Sequence, residues 1–267
     1  MKEYDKYLKL LKEKYPTKQS VYRELINLNA IMNLPKGTEH FMSDLHGEYD
    51  AFYHIINNCS GVIREKVAML YGDELTVYEQ QELCTLIYYP REKLSILMDE
   101  NKVNDEWYRN VLNQLIQIAK LLSSKYTRSK VRKAMPVDFA YIIDELIHAQ
   151  KDEDDNRSVY HRQIMETILS LHNGDEFLVA LTDLIKRLAV DHLHILGDIY
   201  DRGAHADKIL DLLMEHHSVD IQWGNHDILW MGAFCGNPVC MALVVRNNIK
   251  YKTMSILENG YGISLRF

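Results

Sequence analysis

Two short apolar runs each end in a glycine followed by Asp or Asn, and the helical pattern between them dictates a parallel sheet. His192-Leu193-His194-Ile195-Leu196 leads into Gly197-Asp198, and Val219-Asp220-Ile221-Gln222-Trp223 leads into Gly224-Asn225. Between them, Ile209, Leu210, Leu212 and Leu213 have the spacing of a crossover helix over Ala206 to His217. A strand, a helix and a second strand joined in this way belong to an α/β fold, in which ligands bind beyond the carboxyl ends of the strands. A further extended run, His40-Phe41-Met42-Ser43, follows the turn at Pro35-Lys36-Gly37 and leads straight into Asp44.

The rest of the chain has helical character. Residues 1–36 carry Tyr4, Tyr7, Leu8, Leu11 and Tyr15, then Val21, Tyr22, Leu25, Ile26, Leu28 and Ile31, which predicts two helices broken at Tyr15-Pro16-Thr17. The stretch from about Glu48 to Ala189 predicts several more, clearest over 88–97, 107–124, 137–150 and 161–172. The acidic run Asp152-Glu153-Asp154-Asp155 lacks the spaced ligands and glycine bend of a calcium loop and is expected to be solvated. Met231, Phe234, Met241, Leu243 and Val244 are expected in the core.

Composition excludes several classes of function. A formal charge of -7 argues against non-specific binding of nucleic acid, which needs an excess of clustered Lys and Arg. The N-terminus has no apolar core of signal-peptide length. The apolar stretch from Ile228 to Val245 is broken by Gly232, Gly236, Asn237 and Pro238, which argues against a membrane span. Cys59, Cys84, Cys235 and Cys240 form no CxxC pair and are expected to be buried, reduced thiols. A cytoplasmic protein without nucleic-acid or membrane partners is the expectation.

Three cassettes carry the chemistry. In the first, Asp44 and His46 are one residue apart, so in an extended segment both side chains face one side and can clasp one ion. The second, Gly197-Asp198-Ile199-Tyr200-Asp201-Arg202-Gly203, places Asp198 first off the strand, where it can bridge two metals. Arg202 can hold two phosphoryl oxygens with its planar fork. In the third, Gly224-Asn225-His226-Asp227, Asn225 offers a neutral oxygen ligand and His226 a proton for a departing alkoxide, with Asp201 as the candidate to orient it. Each cassette alone has an ordinary reading: a surface Asp beside a core His, a salt bridge between Asp201 and Arg202, or plain turn residues. Their occurrence together, in this order, points to a metal-assisted phosphate-ester hydrolase.

The order of these motifs resembles that of the calcineurin-like metallophosphoesterases, which include the protein Ser/Thr phosphatases. By that resemblance Asp44, His46 and Asp198 would bind a first metal and Asp198 and Asn225 a second. His226 would be the general acid and Arg202 a phosphate ligand, while a metal-bridging hydroxide would attack phosphorus in line. Residues 38–52, 125–134 and 221–233 look like the class III fructose-1,6-bisphosphatases of low-GC Gram-positive bacteria, and this likeness covers essentially the whole chain. It implies hydrolysis of fructose 1,6-bisphosphate in gluconeogenesis, with Mn2+ as cofactor because the site offers oxygen and imidazole but no thiolate. It also implies an α/β fold: the first half of a calcineurin-like sandwich, built from residues 37–60 and 190–267, with 61–189 as a large helical insertion. Lys125, Arg128, Lys130, Arg132 and Lys133 are read first as a solvated basic helix face. The alternative is that Arg128 and Arg132 collect the second phosphate of the sugar bisphosphate.

Calcineurin-like sites take two further histidines from beyond the third cassette, yet His226 is the last of the twelve histidines here. The expectation is a truncated, N-terminal portion that binds at most one metal well and hydrolyses poorly alone. The alternatives are another calcineurin-like phosphatase, acting on a phosphoprotein or dinucleotide, and a non-catalytic fragment. Self-association as a homo-oligomer stays open.

Overall fold

A computed structural model describes residues 2–149 and 155–264. Helices dominate it, around a small parallel sheet, so the α/β expectation holds. Strands β1 (Glu39–Met42), β2 (His192–Ile195) and β3 (Val219–Ile221) lie side by side in that order. The register pairs Phe41 with His194 and His194 with Asp220, so these three share one face. The crossover between β2 and β3 is the helix Ala206–Glu215. β3 ends at Ile221, two residues short of the apolar run that predicted it.

Between β1 and β2 the chain makes a long helical excursion. Its axis is the pair Asp105–Ser123 and Gly174–Ala189, which pack along each other. Asn104 starts the first by accepting the Trp107 N–H at 2.8 Å, satisfying one of the orphan donors of the first turn. Leu112, Leu115, Ile118 and Leu122 recur at steps of three and four and are fully buried, as are Phe177, Leu181 and Ile185 opposite them. Each such side chain contributes about 2 kcal/mol on leaving water. A second, smaller apolar cluster joins Leu45, Phe52, Leu193, Ile195, Ile199, Ile209 and Leu213 beneath the sheet. It anchors the strand ends from which the cassettes emerge.

The two N-terminal helices form as the apolar spacing predicts, over Lys2–Lys14 and Lys18–Ile31. Thr17 caps the second through the Ser20 N–H at 3.1 Å, yet no residue of that helix is buried. Among the described residues no helix is long and apolar enough to cross a membrane. Residues 150–154, and with them most of the acidic run, lie outside the described residues; the helix Asp155–Ser170 begins directly after.

Two expectations need correction. Of the five apolar residues expected in the core, Val244 is buried, but Phe234 is 94% exposed and Met231 and Met241 are also exposed. The helices Asn225–Phe234 and Pro238–Tyr251 pack chiefly on each other, so their outer apolar side chains line an open cleft of about 580 Å³. The thiols differ among themselves for a similar reason. Cys59 and Cys84 are buried, and burial pushes the Cys59 thiol up to about 12, whereas Cys235 ends its helix in solvent.

Candidate metal centre

The loops that leave β1 and β2 interlock at the carboxyl edge of the sheet. The N–H groups of Asp44, His46 and Gly47 donate to the carbonyls of Gly197, Asp198 and Ile199 at 3.2, 2.9 and 2.8 Å, and Gly203 N–H returns to His46 O at 2.6 Å. To make these bonds Asp44, His46, Asp198, Asp201 and Arg202 all take positive φ, between 46° and 85°. Left-handed backbone costs a non-glycine residue about 1–3 kcal/mol, so its concentration here marks a loop shaped for its side chains rather than for its own comfort. Glycine is required where the loops touch. A Cβ on Gly197, which has φ +96°, would run into the Gly224 nitrogen, and one on Gly203 would overlap Gly47 and the His46 carbonyl.

Asp44, His46 and Asp198 each point one ligand atom into a common space, all within 4.8 Å of one another. His46 is buried and Nδ1–H donates to the Tyr200 carbonyl at 3.0 Å, which leaves Nε2 facing the exposed Asp44 carboxylate at 3.5 Å. Fixing one imidazole nitrogen so that the other can coordinate is what a metal-binding histidine needs. Two carboxylates and an imidazole fit a divalent cation.

Beside this cluster lies an oriented histidine. The His226 ring meets the His46 ring edge-on at 5.3 Å, and its backbone N–H reaches Asp198 Oδ1 at 3.2 Å. Its Nδ1 is 2.8 Å from Oδ2 of Asp201, a residue only 1% exposed. Asp201 also accepts from Trp230 Nε1 at 3.2 Å and Asn247 Nδ2 at 2.8 Å. The partner of Asp201 is therefore His226 and not Arg202, which is exposed on the same loop. Asn225, exposed, opens the helix Asn225–Phe234 between Gly224, which abuts Asp198, and His226.

Arg128 and Arg132 are not brought to this edge. They line a separate cleft with Ser129, Lys133 and Asp144. Their helix is tethered by the ion pair of Lys130 with Asp191, the residue just before β2, whereas Asp198 lies just beyond the strand's other end. The alternative in which these arginines collect a second phosphate therefore concerns a cleft lined by none of the cassette residues.

Three residues that sequence reasoning passed over prove central. Asp227 is buried, with its carboxylate on four backbone N–H groups of the two loops, and its place three residues after Gly224 is the reach-back spacing of a capping box. Trp230, one helical turn after His226, had a weak signal. Asn247 had none.

The family described as Firmicute fructose-1,6-bisphosphatase matches residues 6–267. The chain is similar to the class 3 fructose-1,6-bisphosphatase of Clostridium beijerinckii, 54% identical over 275 residues, which cover 99% of this chain and 41% of that protein. To the class 3 enzyme of Listeria monocytogenes serotype 4b it is 55% identical over 261 residues, 98% of this chain and 40% of the relative. For that of Clostridium acetobutylicum the figures are 54% over 260 residues, 97% and 39%. The chain thus spans about two fifths of the length of the curated relatives it matches. No solved structure matches it. A match over nearly every residue, with relatives of one name at more than half identity, means that the chain belongs to the Firmicute fructose-1,6-bisphosphatase family.

Proposed function

We propose that this chain carries the metal-binding and proton-donating part of a site that hydrolyses fructose 1,6-bisphosphate to fructose 6-phosphate and phosphate, a gluconeogenic reaction, in the cytoplasm. The observation that supports it is the meeting, at one sheet edge, of Asp44, His46 and Asp198 with a histidine oriented by Asp201. In this reading residues 37–60 and 190–267 form the first half of a metallophosphoesterase sandwich, and 61–189 are inserted into it.

A divalent cation bound at the cluster supplies Lewis-acid charge to a phosphoryl group, and manganese suits a set of oxygen and imidazole ligands. Asp44, His46 and Asp198 would hold it, and Asp198 with Asn225 would serve a second ion. Asp201, as a carboxylate, accepts from Nδ1–H of His226, so the ring, when protonated, presents Nε2–H for transfer to the departing sugar oxygen. Arg202 offers its guanidinium to phosphoryl oxygens.

Equilibrium Mn2+ titration of the chain tests the first part. Asp198→Asn keeps the left-handed backbone but removes a charge, and it is expected to weaken binding by at least about tenfold. Equal binding by both proteins would overturn the assignment. Joining the chain to the remaining portion of the Listeria relative tests the second. The chimera is expected to release phosphate from fructose 1,6-bisphosphate, and to lose that activity with Asp198→Asn.

A further inference from the structure

On the face of the sheet opposite the apolar cluster, the strand register assembles a second group of ligand-type side chains. His194 pairs with Asp220 across β2 and β3, His192 precedes it on the same face, and Glu39 of β1 pairs with His192. His192 Nε2 lies 3.1 Å from Asp220 Oδ2, and His194 Nδ1 lies 2.9 and 3.0 Å from the two Asp220 oxygens. We propose that His192, His194 and Asp220 form a distinct metal site that takes a zinc-like divalent cation and clips β2 to β3.

The geometry is close to what such an ion requires. With ligand bonds of about 2.0–2.1 Å, the donor atoms of a tetrahedral site lie roughly 3.3 Å apart. Both imidazole-to-carboxylate separations are already there, and the three donor atoms lie within 4.8 Å of one another. The surrounding groups hold the rings as ligands. His192 Nδ1 is engaged by Ser218 Oγ at 2.6 Å, and Phe41 stacks on the His194 ring at 4.3 Å, limiting its rotation.

A purely hydrogen-bonded triad accounts for these contacts less completely. His194 Nε2 is buried and has no hydrogen-bond partner, because the nearest carboxylate, Glu39 Oε2, stands off at 3.8 Å. A buried ring nitrogen left in this state needs a reason. Coordination through Nδ1 supplies one, since it fixes the proton on Nε2, where Glu39 can take it in a carboxylate–histidine–metal arrangement. Two imidazoles with one carboxylate prefer zinc, cobalt or nickel, while the more oxygen-rich cluster at the sheet edge suits harder ions. The Asp220 side chain is 58% exposed and gives the ion a path in.

The test uses the full chain carrying Asp44→Asn and Asp198→Asn, which silences the other cluster independently of this one. Co2+ is the spectroscopic probe. One equivalent is expected to bind with the visible bands of four-coordinate cobalt, to be displaced by Zn2+, and Zn2+ is expected to raise the thermal midpoint. Adding His192→Gln or Asp220→Asn should weaken Co2+ binding at least about tenfold. Asp220 is exposed, so its substitution should leave the far-ultraviolet circular dichroism unchanged. Absence of stoichiometric Co2+ binding in the silenced chain would overturn the proposal, as would undiminished binding by the folded Asp220→Asn variant.

Discussion

Asp227 holds the backbone of Asp198: its Oδ2 accepts the Asp198 N–H at 2.7 Å and the Gly224 N–H at 2.8 Å. Oδ1 accepts from Ile199 and Tyr200 at 2.9 and 3.2 Å. One buried carboxylate thus ties the loop after β2 to the start of the helix Asn225–Phe234, and sets where Asp198 can point.

Asp227→Asn is nearly isosteric but aims an NH2 group at N–H donors. Buried donors would lose their acceptor, and the folded state is expected to lose about 3 kcal/mol. Urea unfolding reads that loss. Because Asp198 is positioned through this carboxylate, manganese affinity should fall about tenfold to a hundredfold in the protein that remains folded.

The glycine contacts give a prediction with an internal control. Gly197→Ala meets both a positive φ and the Gly224 backbone, so it should cost about 3 kcal/mol or more. Gly236 has φ +84°, but a Cβ there would meet nothing within 4 Å, so Gly236→Ala should cost only about 1 kcal/mol. Thermal midpoints of the two variants, measured together, separate steric contact from backbone strain. Equal shifts would mean that the loops can part at Gly224.

The parallel strands, the crossover helix and the cassette residues were legible because each depends on local signals: an apolar run, a helical period, a glycine before a ligand. Asp44, His46 and Asp198 converge because parallel strands place their carboxyl ends at one edge. Other features depend on how helices dock, which no local pattern states. Asn247 reaches Asp201 only because its helix packs on the one that begins at Asn225. Lys130 fastens the helix of Arg128 and Arg132 to Asp191, just before β2, another link that no local pattern states. Phe234 had the composition of core and the position of surface, since a residue's partners and not its hydrophobicity decide its burial.

Stability should fall with acid through His216. Burial first, and then the neighbouring His217, push its pKa down from 6.5 to about 4, while Nδ1–H donates to the Ser218 carbonyl at 3.0 Å. Between these values the unfolded chain binds a proton that the folded chain refuses, so unfolding becomes easier as pH drops from 6.5 towards 4. His216→Gln keeps an amide donor and removes the titration. Its urea midpoint is expected to change less than that of the unaltered chain between about pH 7.5 and about pH 5, roughly one unit or more either side of an ordinary histidine pKa. Parallel pH profiles would show that His216 is not the group responsible.

Asp201 decides which nitrogen of His226 carries the proton. An ionised carboxylate only accepts, so at 2.8 Å it selects Nδ1–H, while Trp230 and Asn247 hold the carboxylate in place. Nitrogen NMR of labelled chain should therefore show His226, when neutral, as a single Nδ1–H tautomer. Asp201→Asn keeps the shape but brings an amide that can turn either its oxygen or its NH2 towards the ring, and Asn247 Nδ2 competes for that oxygen. The variant is expected to show mixed tautomers, with the Nε2–H form gaining most. In the Listeria chimera the same substitution should lower the rate of phosphate release by about 10²–10⁴-fold with little change in KM, since the Asp201 carboxylate supports the imidazolium whose Nε2–H is needed only as the sugar oxygen departs. A changed tautomer with an unchanged rate would assign proton donation to another group and leave His226 a structural residue.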